Sequence, residues 1–354
     1  MSRFFSSRYR ALTPYTPGEQ PQDRKFIKLN TNESPFPPSA GVLRAVEEEA
    51  QRLQLYSDPE CRLLRRALAE HYGLLPEQFL VGNGSDELLN FAFMAFCDEN
   101  CPAIFPDITY GFYPVYAELN HIPYEEIPLE EDLTFCFDRF SSRRGTVILA
   151  NPNAPTGLAK SAAEIEALLR ERPDDVLVVD EAYVDFGGES VLPLIPRFPN
   201  LLVIQTFSKS RSMAGARLGF AAGAEELISD LNTLKYSTNP YNVNRMTAAA
   251  GVAALREDAY YRENASRIME NRVFTAEALR ELGFFVTDSR ANFLFARSDR
   301  IPGGELYRAL KERGILVRHF DKPRIDDYVR ISIGTRGEME ALLRETKAIL
   351  EERS

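Results

Sequence analysis

Six short runs in the first two thirds of the chain are apolar at nearly every position: Phe79-Leu-Val, Ala103-Ile-Phe, Thr146-Val-Ile-Leu-Ala, Val176-Leu-Val-Val, Leu201-Leu-Val-Ile and Leu218-Gly-Phe-Ala-Ala. A strand with no polar face has to be covered on both sides, so these runs predict a mostly parallel sheet held between helices. The covering helices are read from apolar residues at helical spacing over 42–53, 61–72, 88–96, 111–119 and 161–170, the second stopping at Gly73.

The ends of the chain differ from this middle. The first 40 residues carry Pro14, Pro17, Pro21, Pro35, Pro37 and Pro38 with no sustained periodicity, and read as an extended arm. Beyond about residue 255 a long charged helix over 260–282 leads to Phe284-Phe-Val, Asn292-Phe-Leu-Phe, a helix over 305–313, the strand Val329-Arg-Ile-Ser-Ile and a closing helix over 337–352. The expected organisation is therefore an arm (1–40), a large α/β domain (41–255) and a smaller α+β C-terminal domain (256–354). No fixed-period repeat or low-complexity tract interrupts it.

Composition narrows the class of function. The 354 residues are 44% hydrophobic, enough for a large core, and their 42 basic against 52 acidic side chains give a formal charge of −10. Without a basic stripe the chain lacks the electrostatics of nucleic-acid binding, so small-molecule chemistry is expected. Four cysteines without CxxC spacing and three scattered histidines argue against a metal site or a disulfide framework. The N-terminal residues lack the apolar stretch of a signal peptide, and no run approaches membrane-spanning length, so a cytoplasmic location is expected.

In open parallel sheets, ligands gather beyond the carboxyl ends of the strands, and four of those ends carry reactive side chains. Gly82-Asn-Gly-Ser85-Asp86-Glu87 pairs a glycine turn with a helix N-terminus, the makings of a phosphate cup, although such turns are common in any α/β protein. Asn151-Pro-Asn153-Ala154-Pro-Thr-Gly reads as a turn that ends a strand. Asp180-Glu-Ala-Tyr183 closes a buried run with an acid that requires a cation or a strong donor, which a structural ion pair would also satisfy. Thr206-Phe-Ser208-Lys209 places an amine eight residues ahead of Arg217. Each alone has an ordinary explanation. In order along one sheet they assemble a phosphate cup, a buried acid, a phenol and an amine, which is the set that pyridoxal 5'-phosphate requires.

Here the chain resembles the fold type I pyridoxal-phosphate enzymes, and among them the histidinol-phosphate aminotransferases. The resemblance runs from Leu29-Asn-Thr-Asn-Glu-Ser-Pro, through Leu55-Tyr-Ser-Asp-Pro and Gly82-Asn-Gly-Ser-Asp-Glu, to Val329-Arg-Ile-Ser-Ile-Gly-Thr, nearly the whole chain. It implies that Lys209 is the Schiff-base lysine and general base, that Asp180 meets the pyridinium nitrogen, and that Tyr183 meets the ring hydroxyl. It also implies Thr206, Ser208, Arg217, Ser85 and Asp86 around the phosphate, and Tyr110 stacked on the ring. Ala154 stands where many relatives have an asparagine donor to the ring hydroxyl before Pro-Thr-Gly; Asn153, adjacent but projecting differently, is a further cofactor-binding candidate. Tyr56 would reach the partner's phosphate across a homodimer interface. Arg330 and Arg318 would take the glutamate carboxylate and the phosphate of histidinol phosphate in alternate half-reactions, with Tyr15, Asn32 and Tyr241 near the substrate; a surface salt bridge is the ordinary alternative for either arginine.

The implied reaction is amino transfer between glutamate and imidazole-acetol phosphate, yielding 2-oxoglutarate and histidinol phosphate in histidine biosynthesis. Relatives that transaminate aromatic amino acids or decarboxylate threonine phosphate carry similar motifs and remain alternatives. A non-enzymatic cofactor sensor is remote, since such regulators carry a helix-turn-helix that this proline-rich arm is too short to form.

Overall fold

The structure is a computed structural model that describes residues 2–21 and 24–353. Its centre is a seven-stranded sheet in the spatial order Phe79–Gly82, Gly219–Gly223, Leu201–Thr206, Leu177–Asp180, Thr146–Ala150, Ala103–Pro106, Tyr124–Ile127. All neighbours are parallel except around Gly219–Gly223, which is antiparallel to both of its partners. The sheet is mixed and mostly parallel, as the apolar runs predict.

Alternation along these strands divides the core into two layers. Val147, Leu149, Val179 and Val203 face one side with Leu64, Ile165 and Leu168; Ile148, Val178, Leu202 and Ile204 face the other with Leu88, Phe93 and Ile228. Both faces are therefore covered, which is why the runs carry no polar alternation. Tyr124–Ile127 escaped the sequence reading because it is an edge strand whose first three residues are exposed, leaving a Tyr-Glu-Glu-Ile segment with no apolar run.

The expected helices are found at Ala40–Ala50, Arg62–Tyr72, Ser85–Phe96, Tyr113–Asn120 and Ala162–Glu171. Two further long helices, Glu225–Thr238 and Arg245–Arg256, and the single turn Asp138–Ser141 have no counterpart in the sequence reading. Gly73 caps its helix at φ +71°, and Ser161 with Glu164 forms a reciprocal capping box.

A second sheet, antiparallel throughout, runs Arg318–His319, Tyr328–Ser332, Phe293–Ser298, Phe284–Val286. It packs with Asp258–Glu281, Gly303–Glu312 and Arg336–Glu352 around a separate core that includes Leu279, Leu294, Leu310 and Leu342. The arm departs from a purely extended reading. Ser7–Tyr9 forms a 3-10 turn, and Ile27–Lys28 is a short strand parallel to Ile315–Leu316. Two paired residues are too few to leave a periodic signal, yet this pairing brings the following Asn30, Thr31 and Asn32 between the two sheets.

Candidate active site

Two adjoining compartments, about 420 and 360 Å³, open beyond the carboxyl ends of the parallel strands and share Thr31, Tyr110, Ala154, Tyr183 and Lys209 in their walls. The first reaches toward the large sheet and the second toward the small one.

The floor of the first compartment is an anion cup. The helix Ser85–Phe96 begins there, and the first N–H groups of a helix have no intrahelical acceptor. Gly84 sits at φ +83°, and a Cβ on it would come within 2.6 Å of the Arg217 guanidinium. Gly219 is as tightly constrained, since a Cβ there would meet the Ser85 main-chain nitrogen at 2.7 Å. Only glycine lets the cup close this far. Arg217 adopts φ +55° and donates to Asp86 at 2.7 Å. Asp86 also accepts from the Tyr110 hydroxyl at 2.8 Å, so its carboxylate orients the arginine and the tyrosine, and its offering to an anion is the main chain. Thr206 and Ser208 hydroxyls meet at 2.9 Å on the opposite rim.

Asp180 ends its strand in the same compartment, 4% exposed. Its carboxylate accepts from the Tyr113 hydroxyl at 3.0 Å and from the Ala182 N–H at 3.1 Å. Burial still pushes its pKa up to about 6. Lys209 donates from Nζ to the Thr31 carbonyl at 3.1 Å and lies 5.8 Å from the Tyr183 ring centre. Burial, helped by the nearby Arg330 charge, pushes its amine down to about 8. Tyr183 accepts a hydrogen bond from Asn32 Nδ2 at 2.9 Å and stands edge-on to Phe293.

Asn32 is itself fixed by the small sheet. Its N–H donates to Ser332 Oγ at 2.8 Å, and its carbonyl accepts from Asn292 at 3.0 Å.

The second compartment is lined by paired arginines. Arg330 donates to the Asn30 carbonyl at 3.0 Å, its guanidinium lies 5.3 Å from the Phe293 ring centre and 5.5 Å from that of Phe320, and its Nε is buried without a partner. Arg318, directly across the strand pair, donates to the Thr16 and Pro17 carbonyls. Tyr15 stacks on Phe112 at 4.3 Å and so carries the arm across the opening.

Among the described residues no group of three or more histidine, cysteine or acidic side chains is arranged to hold a metal, and no helix is long and apolar enough to cross a membrane.

The family model for class I and II aminotransferases matches residues 24–345. The chain belongs to the class I and II aminotransferase family. Among the aminotransferases it resembles, the histidinol-phosphate aminotransferase of Chromohalobacter salexigens is 49% identical over 350 residues, 99% of each chain. Histidinol-phosphate aminotransferase 1 of Bradyrhizobium diazoefficiens is 49% identical over 335 residues, 95% of this chain and 96% of the other. The crystal structure of histidinol-phosphate aminotransferase from Sinorhizobium meliloti, in complex with pyridoxal-5'-phosphate, superposes with a TM-score of 0.89 at 24% identity, covering 100% of this chain and 99% of that one. That likeness establishes the fold type I architecture.

Of the residues singled out in the sequence, this aminotransferase fold gathers Ser85, Asp86, Tyr110, Asp180, Tyr183, Thr206, Ser208, Lys209 and Arg217 around the first compartment. Tyr15, Asn32, Arg318 and Arg330 stand at the second. Asn153 is placed elsewhere. Fully buried, it donates to the Ile108 carbonyl and Thr156 hydroxyl and accepts from Thr109, so it braces the turn behind the wall while Ala154 faces the cavity. Tyr56 and Tyr241 are also absent from the walls. They stack on each other at 4.6 Å on the surface, 79% and 44% exposed. The sequence reading missed Tyr113, a fully buried tyrosine whose pairing with Asp180 joins segments far apart in the chain and leaves no local signal. It also missed Glu33, for which no pattern pointed inward.

Proposed function

We propose that this chain is a pyridoxal-phosphate-dependent histidinol-phosphate aminotransferase, moving an amino group between glutamate and imidazole-acetol phosphate. The observation that carries the proposal is the sharing of one wall by Lys209 and Tyr183 between an anion cup with a buried acid and a pair of arginines. The relatives at 49% identity that bear this enzyme's name support the substrate.

The cavity suits this cofactor chemically: helix N–H groups, Arg217, Thr206 and Ser208 for a phosphate dianion, Asp180 for a ring cation, Tyr110 for a flat face, and Lys209 for a covalent link. When bound, pyridoxal phosphate supplies a carbonyl carbon that carries the amino group and a ring that accepts electrons. Asp180, ionised above about pH 6, would favour a positive charge at the ring nitrogen. Tyr183, its hydroxyl oxygen held by Asn32, would serve as the donor to the cofactor's ring oxygen.

Lys209 has the central proton-handling role. With its amine pushed down to about 8, a substantial fraction is neutral near pH 7.5, and Nζ takes the proton from the substrate α-carbon as general base. Arg330 and Arg318 orient the substrate by paired hydrogen bonds, to the glutamate carboxylate in one half-reaction and to the phosphate in the other. Arg330 lines the compartment, and its buried Nε has no protein acceptor. Tyr15 and the arm exclude water from above.

The same reading includes a cytoplasmic homodimer. Leu53, Leu55, Tyr56, Leu63 and Tyr241 are all exposed large apolar side chains, which supports a covering partner. The four cysteines are all free, which supports a reducing compartment. Residues 41–255 would carry the cofactor, and 256–354 with the arm would close over the substrate.

The test is a substrate panel. Purified protein loaded with pyridoxal phosphate is given 2-oxoglutarate with histidinol phosphate, phenylalanine or tyrosine, and separately threonine phosphate alone. Glutamate should form fastest with histidinol phosphate. Faster turnover of an aromatic amino acid, or carbon dioxide released from threonine phosphate, would replace this substrate assignment.

A further inference from the structure

We propose that Tyr113 is a positioning residue for the cofactor, its buried hydroxyl holding Asp180 ionised and oriented for the ring nitrogen. The inference rests on the reading that this cavity takes pyridoxal phosphate, and it adds a group that does not line the cavity at all.

Tyr113 opens the helix Tyr113–Asn120 and is fully buried. Its ring packs at 6.2 Å from Phe93 and 5.7 Å from Phe105, and stands edge-on to Tyr110 at 5.6 Å. These contacts fix the phenol in an apolar setting with its hydroxyl 3.0 Å from Asp180 Oδ2. The Ala182 N–H occupies the other oxygen. The carboxylate is thus gripped from behind on both atoms, and its free lone pairs are left for the cavity.

The remaining groups facing Asp180 do not replace this donor. Asp86, from the cup helix, opposes its ionisation; Lys209, from the turn after Leu201–Thr206, favours it; Tyr116 and Tyr183 stand nearby as neutral phenols. A donor hydrogen bond stabilises the charged form of a carboxylate. Without it, a carboxylate in this setting holds its proton to higher pH, and a protonated acid exerts no pull on a ring cation. Two tyrosines, Tyr110 just before the helix and Tyr113 at its first position, therefore divide the task, Tyr110 against the ring face and Tyr113 behind the acid.

Tyr113→Phe removes the oxygen and keeps the ring. The probe is pyridoxamine 5'-phosphate, which cannot bond covalently to a lysine, with its dissociation constant measured from pH 5 to 9 by equilibrium dialysis. Inorganic phosphate, which reads the cup alone, is titrated over the same range. In the wild type, binding should weaken on the acid side with a midpoint near the Asp180 value of about 6. In the variant the midpoint should rise by about one pH unit, so binding is roughly fivefold weaker at pH 6 and converges with wild type above about pH 8.5, while phosphate binding is unchanged.

An unchanged profile overturns the proposal. So does a loss equal at every pH, or a parallel loss of phosphate binding, because either marks damaged packing. Wild-type protein that fails to bind pyridoxamine phosphate overturns the cofactor reading itself and this inference with it.

Discussion

Arg318 and Arg330 are direct register partners on neighbouring antiparallel strands, and both side chains line the same compartment. Like charges so close repel, and burial together with Arg318 lowers the Arg330 pKa. An anion between them relieves both costs, which makes the pair a receptor for carboxylate or phosphate. Arg330→Ala should lower kcat/KM about ten- to a hundredfold for glutamate and for histidinol phosphate alike, the loss expected for a charged hydrogen-bond partner. Steady-state kinetics with each substrate varied checks this, and a defect confined to one substrate would refute a shared site.

Lys209→Ala should abolish transamination yet leave a cup able to hold pyridoxal phosphate without a covalent bond. Borohydride reduction of the loaded wild type followed by peptide mapping should label Lys209. A label on any other lysine would remove it from its assigned role.

Asp180 carries a cost in stability that its function explains. Its pKa is raised by burial from an ordinary 3.8 to about 6, so the folded protein holds this proton more tightly than the unfolded chain does. The sign follows from linkage: below about pH 4 both states are protonated and no cost exists, whereas above about pH 6 the buried charge costs roughly 2 to 3 kcal/mol. Cofactor-free Asp180→Asn should therefore be more stable than cofactor-free wild type at pH 8, with the gap closing as pH falls from 6 to 4. Urea unfolding of both proteins across that range measures it. The same substitution should weaken cofactor binding, and a variant that gains neither stability nor a binding defect would contradict the assignment.

Tyr56 is 79% exposed and missing from its own chain's cavity, so its proposed role requires a second subunit. Mixing inactive Lys209→Ala chains with impaired Tyr56→Ala chains under conditions of subunit exchange should restore activity. A heterodimer then rebuilds one complete site, and a one-to-one mixture should recover about a quarter of wild-type turnover, from statistical pairing of symmetric subunits. No recovery, with exchange verified by mass spectrometry, would place Tyr56 outside the partner's site.

Much of the site was legible because parallel-sheet topology concentrates ligand contacts at strand ends, and a strand end is local information. Asp180, Thr206 and Lys209 each follow an apolar run, so sequence order alone lines them up. The cup was legible for a similar reason, since Gly84 and Ser85 are adjacent in the chain. Asn153 shows where such reasoning stops. It is the immediate neighbour of Ala154, but the turn directs one side chain inward to Thr109 and Ile108 and the other to the cavity.

By itself the sequence determined the two-sided burial of the main sheet, its mostly parallel character, the helix caps and the roster of reactive residue types, all of which depend on periodicity or on near neighbours. Only the tertiary structure decided the rest. The reversal of Gly219–Gly223, the docking of Ile27–Lys28 beside Ile315–Leu316, the bond from Asn32 to Tyr183 and the grip of Tyr113 on Asp180 all join segments far apart in the chain. Their partners are chosen by packing and by the need to pair buried polar groups, and no local pattern of residues encodes that choice.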